Sequence, residues 1–257
     1  MSITDNMKRI CTILALAIFT LAGASTLRAE EKHRSYEKGF FAGVSGGLAG
    51  GVSTFKSERP SFQVNVEGGY RFNKWLSLQL VMGGGRLDIG PQECCSAHPG
   101  INNERHSYWR ALNNNEWHYY PDKTADGWWY ADMNGTTSYC KGVIQVNFDL
   151  FSFFSDRIGL DISPRAGGMV TRTDLSGKSS LTGDALALKD DRQKHFVYGG
   201  ESTLSYKFRN GIRLGLFGAL DILTGDHFDN IPVHAHNENH IWTAGVKFIY
   251  SFGKGGN

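Results

Sequence analysis

Three histidines near the C-terminus, His234, His236 and His240, lie close to Asp226, His227, Asp229 and Glu238. Alternate imidazoles could share one divalent ion, because neutral ring nitrogens and carboxylates are common ligands of zinc and its neighbours. A solvated loop explains the same run more simply, so no metal and no other cofactor is expected. Nucleophilic catalysis needs a Ser or Cys within reach of a His and an acid. The last segment has no His-x-Ser pair, since His240 is followed by Ile241, Trp242 and Thr243, and the adjacent His106 and Ser107 fall in a connecting stretch. No catalytic residue, and no enzyme, is expected.

Two further groups have chemistry to offer. Trp109, Trp117, Trp128 and Trp129 are four of the six tryptophans, and Tyr108, Tyr119, Tyr120 and Tyr130 lie among them. So many rings in one connection suit a stacking surface for a sugar or a contact with a protein, or else a small cap packed on itself. Cys94, Cys95 and Cys140 flank the same stretch; in an oxidising compartment one disulfide from Cys140 to Cys94 or Cys95 would fix its base.

The elements that must hold these groups are strands. Side chains of one kind recur every second residue, as Trp242, Ala244, Val246, Phe248, Tyr250 and Phe252 do against Thr243, Gly245, Lys247, Ile249 and Ser251. The same alternation runs through seven earlier segments, from Phe40 to Gly50 onward, which predicts eight strands in all. The polar phase carries Glu67, Arg71, Lys141, Asp149, Asp161, Arg165, Glu201, Lys207, Arg213, Asp221 and Lys247. Facing into a barrel of eight strands, these charges would have to pair, either as a structural plug or as a gated ion path.

Link lengths alternate as well. Asn73-Lys74, Ser152 to Asp156 and Asn210-Gly211 are short, whereas the stretches around Thr54, from Asp88 to Tyr139, from Asp174 to Lys194 and from Thr224 to Asn239 are long. Short turns at one end and long loops at the other describe a membrane barrel with turns in the periplasm and loops outside. Aromatics gather towards the short-turn end, at Phe40, Phe41, Phe72, Trp75, Phe151, Phe153, Phe154, Phe208, Tyr250 and Phe252, as an interfacial girdle would. A soluble lipocalin-like barrel also alternates, with its apolar face inward. The girdle, the loop asymmetry and the mixed, sparse charge of the polar face favour the membrane.

The N-terminus agrees. Lys8 and Arg9 precede an apolar stretch from Ile10 to Leu21, and small residues follow, so residues 1–29 read as a secretory signal with cleavage after Ala29 or Ala24. Its removal takes Lys8, Arg9, Arg28 and Asp5 and leaves 24 charges of each sign, which offers a nucleic acid nothing to bind. Residues 30–39 then form a periplasmic segment, 40–252 the barrel with 88–139 as its long extracellular loop, and 253–257 a tail.

The closing strand HIWTAGVKFIYSF, His240 to Phe252, and the GGYRF of Gly68 to Phe72 resemble the small eight-stranded outer-membrane barrels of the OmpA/OmpX type. The resemblance implies an all-β, antiparallel, up-and-down transmembrane barrel in the bacterial outer membrane. It also implies contact with membrane lipid and lipopolysaccharide, and handling of Phe252 by the barrel assembly machinery. Function would rest on the outer loops, through an extracellular glycan or protein ligand or through envelope integrity. A lipid A-modifying hydrolase or acyltransferase and a narrow ion channel are the alternatives.

Overall fold

The computed structural model describes residues 38–252 except 53–54, 58, 92–96, 102–106, 114–115, 121–127, 130–131, 180–182, 190–191, 209 and 225–238. The signal segment, most of the 30–39 segment and the 253–257 tail therefore lie outside the described residues.

Eight strands form the wall: β1 (Gly39–Val52), β3 (Ser61–Arg71), β4 (Leu76–Pro91), β9 (Met133–Asp149), β10 (Ile158–Lys178), β12 (Gln193–Lys207), β13 (Ile212–Leu223) and β14 (Asn239–Ser251). Each pairs antiparallel with the next, and β1 pairs with β14 from Phe41↔Ser251 to Val52↔His240, so the sheet closes on itself. Two short strands extend the wall, β2 (Phe55–Ser57) between β1 and β4 and β11 (Ala185–Lys189) against β10. A second sheet lies within the long connection: β5 (Ala97–Ile101), β6 (Ser107–Asn113), β7 (Glu116–Tyr120) and β8 (Trp128–Trp129), in the order β7-β6-β5-β8.

The register fixes the tilt. Paired residues run from Leu80 through Ile144, Ala166, Tyr198, Ile222, His240, Val52 and Lys56 and return to β4 at Gly90, ten residues further along. A stagger of that size in eight strands inclines them by roughly 40° to the barrel axis. Where β1 meets β14, Gly47 faces Gly245. A Cβ on Gly47 would stand 2.1 Å from the Ala244 carbonyl oxygen and one on Gly245 2.2 Å from that of Gly46, so only glycine permits this close curl.

The short turns are set by local side chains. Asn73 Oδ1 accepts the Trp75 and Leu76 amides at 3.0 and 2.8 Å, and Ser155 Oγ accepts those of Arg157 and Ile158. A single 3-10 turn, Leu150–Phe153, starts the β9–β10 link, and Gly211 takes φ +84 between β12 and β13.

Outward side chains over the lower wall are apolar and bare, among them Val66, Ile144, Leu216 and Val246, each more than half exposed. An apolar belt running around the wall is incompatible with water and fits hydrocarbon. Rings border it at the short-turn end, where Phe40–Tyr70, Tyr70–Phe72, Tyr206–Phe208 and Tyr250–Phe252 meet edge to face at 4.9–5.3 Å. Phe41 is the exception to the expected girdle: its phase points it into the bore, 4% exposed, beneath Arg71 at 5.6 Å.

Three strands, β4, β9 and β10, run past the membrane. β9 has 17 residues and β10 has 21, against the ~9–11 that a tilted strand needs to cross. Their outer ends stay paired with each other up to Gly177↔Met133, and β9 stays paired with β4 up to Ile89↔Gly135. The long connection thus spans residues 92–132 rather than 88–139, and β10 continues four residues past Asp174 to Lys178 before turning back into β11.

Candidate functional site

The interior holds three layers. Nearest the short turns, Lys207 Nζ lies 2.6 Å from Asp149, and Arg213 Nη2 lies 2.6 Å from Asp161 and 3.6 Å from Asp149. Arg213 Nε also donates to Ser205 Oγ at 2.7 Å. The layer sets two acids, Asp149 and Asp161, among three bases, Lys207, Arg213 and the nearby Arg71, which lies over Phe41.

Above it runs one chain of alternating charge. Lys247 Nζ bridges Glu67 at 3.2 Å and Glu201 at 2.5 Å; Arg165 joins Glu201 at 3.2 Å to Asp221 at 2.7 Å; Lys141 completes it on Asp221 at 2.8 Å. Three acids meet three bases, all nearly inaccessible to solvent. Neutral groups satisfy the remaining lone pairs: Ser45 and Gln79 donate to Glu67 at 2.6 Å, and Gln145 and Thr203 donate to Glu201 at 3.1 Å. Such a network is stable only as a whole, because a single deletion strands a charge out of water.

The outer layer is apolar. Leu87, Ile89, Met133, Val143, Leu175 and Ile241 lie at 2% exposure or less, with Ala49, Val81, Met169, Val197 and Leu223 in one cluster. Polar groups among them pair off, Thr137 with Thr173 at 2.8 Å, Tyr139 with Gln63 at 2.8 Å and His195 with Thr171 at 3.0 Å. Between Arg71, Asn147 and Lys247 a void of about 10 Å³ has room for roughly one water.

All eleven charged residues expected inside, Glu67, Arg71, Lys141, Asp149, Asp161, Arg165, Glu201, Lys207, Arg213, Asp221 and Lys247, are buried in the bore. The uncharged partners Gln79, Gln145 and Asn147 hold the network together, and their signal was their place in the same polar phase. The apolar outer layer had no such signal.

The aromatic group is placed by backbone only. Trp109 lies on β6, Trp117 on β7, and Trp128 and Trp129 on β8; Trp109 pairs with Pro99 and Trp129 with the adjacent Gly100, so β5 carries both at neighbouring levels. Trp117 stands opposite Leu112. Tyr130 lies outside the described residues.

The cysteine expectation changes. Cys140 does not end the long connection, because β9 begins seven residues earlier; it faces outward opposite Gly84 and Val170 as a free thiol. Its expected disulfide partners, Cys94 and Cys95, lie outside the described residues. Among the described residues no three His, Cys, Asp or Glu side chains converge on a metal position. His234 and His236 are not among them, and His240 lies on β14.

No known family model and no curated protein sequence matches the chain. Solved structures do resemble it. Ail, the attachment invasion locus protein of Yersinia pestis, solved with the heparin analogue sucrose octasulfate, is 9% identical, covers 83% of this chain and 99% of its own, and has a TM-score of 0.41. Neisserial surface protein A is 12% identical, with 83% and 97% covered and a TM-score of 0.37. The outer membrane protease OmpT from Escherichia coli is 9% identical, with 86% and 100% covered and a TM-score of 0.39. The closed wall, the apolar outer belt and the charged bore give this chain the fold of an eight-stranded, antiparallel, up-and-down β-barrel that spans a membrane.

Proposed function

We propose that this barrel neither conducts nor catalyses, and that it acts through the structures at its outer end, in contact with an extracellular glycan or protein or in support of the envelope. The observation that supports this reading is the packed bore: a paired ion network lies below an apolar layer of buried side chains. The chain outside the wall is concentrated instead in the second sheet, with four tryptophans on its strands. Loops on a rigid scaffold are where contacts with other molecules are usually made.

The test has two arms. Refolded barrel in planar bilayers should give no steady openings; unitary conductance would turn the reading to a channel. Deletion of residues 97–129 should leave the boiled-versus-unboiled gel shift intact and abolish attachment of expressing cells to a glycan array that includes heparin. Unchanged attachment would remove the second sheet from the function.

A further inference from the structure

We propose that the bore holds one small monovalent anion, of the halide class, between Arg71, Arg213 and Lys247, where it completes the charge balance of the interior. The site lies between the layer nearest the short turns and the charged chain above it, and is independent of the outer sheet and its ligand.

The first observation is a sum. Among the described residues, the upper chain sets Glu67, Glu201 and Asp221 against Lys141, Arg165 and Lys247, and its charges cancel. The lower layer sets Asp149 and Asp161 against Arg71, Lys207 and Arg213, which comes to one positive charge. However the hydrogen bonds are shared, that sum stays. All these side chains are buried within a wall whose outer belt is apolar, and an uncompensated ion away from water is costly.

The second observation is a place for the missing charge. The void of about 10 Å³ is lined by Arg71, Arg213 and Lys247, which reach it from β3, β13 and β14, and by Asp161 and Glu201. Its own lining thus repeats the excess, three bases against two acids. Both acids are held by bases, Asp161 by Arg213 Nη2 at 2.6 Å and Glu201 by Arg165 at 3.2 Å and by Lys247. Arg213 commits Nε to Ser205 and Nη2 to the acids, two of its three nitrogens. Charged N–H groups are the strongest donors a protein offers an anion. The wall is cut to admit them: a Cβ on Gly159 would stand 2.5 Å from Arg213 Nη2 and 2.8 Å from Lys207 Cε.

Size then selects the ligand. The void suits one particle of about the volume of a water. Water would fit it but carries no charge. Sulfate and phosphate are too large and bring a second charge, whereas a halide answers both the sum and the space.

The experiment is urea titration of the full barrel refolded in phosphatidylcholine vesicles, with chloride replaced stepwise by gluconate at constant ionic strength. One anion held only by the folded state makes the unfolding constant fall about tenfold for each tenfold rise in chloride once the site is filled. Arg71→Met, which brings the sum to zero, should abolish this dependence. Arg71→Lys should keep it, and so should Arg172→Ser, which removes a charge from the outer face only. Crystals grown in bromide should show an anomalous-scattering peak in the void. An unfolding constant indifferent to chloride in the wild type means that water fills the void or that a base has given up its proton, and overturns the proposal. A dependence that survives in Arg71→Met puts the anion elsewhere and overturns it too. Should Arg71→Met lose the heat-dependent gel shift, the bromide peak decides: order between Arg71, Arg213 and Lys247 supports the site, and bromide on the exposed surface only overturns it. The result of the loop deletion stands either way.

Discussion

The wall has two regions built by opposite rules. Within the membrane, apolar side chains such as Ile144 and Val246 point out and Lys141, Glu201 and Lys247 point in. Above it the arrangement inverts on the same strands: Arg86, Asp88, Arg172 and Asp174 point out, while Leu87, Ile89 and Leu175 are buried. The solvent outside decides which phase is apolar, and the pleat keeps the period at two in both. The protruding part is therefore a water-facing barrel end fused in register to a membrane one, with an apolar core of its own.

The largest expected effect comes from the lower region. Glu201→Ala leaves Lys247 and Arg165 facing a lost partner and should destabilise the refolded barrel by about 3–5 kcal/mol in denaturant titration. A change under about 1 kcal/mol would mean that water enters the bore and the network is not sealed. The comparison is sharpest on β9, where two exchanges differ only in height. Ile144→Lys on the lipid face should cost about 2–4 kcal/mol, whereas Thr136→Lys, eight residues above on the same face, should stay within about 0.5 kcal/mol. Equal costs would place the membrane boundary higher than the belt suggests. Leu175→Ala should cost about 2 kcal/mol, the low end for such truncations because the open end of the barrel can relax. Arg172→Ser should change stability by less than about 0.5 kcal/mol, since its ion pair is exposed.

This inversion also explains what could and could not be read from the sequence. The eight wall strands were legible because Leu76–Met82, Ile144–Leu150 and their counterparts keep one apolar phase. The strand ends were not. Beyond Gly85, Tyr139 and Thr171 the apolar residues switch to the other phase, and a switch of phase looks like the end of a strand when apolar is equated with outward. Asp88 to Tyr139 and Asp174 to Lys194 read as loops for this reason, which puts the start of β9 at Cys140, seven residues later than Met133. The charged bore was legible because eleven ionisable residues fall in one phase. Which acid meets which base was not, because those contacts join strands far apart in sequence, such as Lys141 with Asp221.

The seam between β1 and β14 has a consequence for how the molecule comes to exist. The wall pairs within the hairpins join neighbours along the chain and can form locally, but Phe41 meets Ser251 across 210 intervening steps of sequence. Contacts so distant form slowly. Until they do, the first and last strands are two open edges with unpaired backbone groups, which attract other chains. Gly47 and Gly245 at the centre of this seam let the two edges approach without a side chain in the way. Closure is thus an act of the whole polypeptide, and a chain that lacks either end would be left as an open, adhesive sheet.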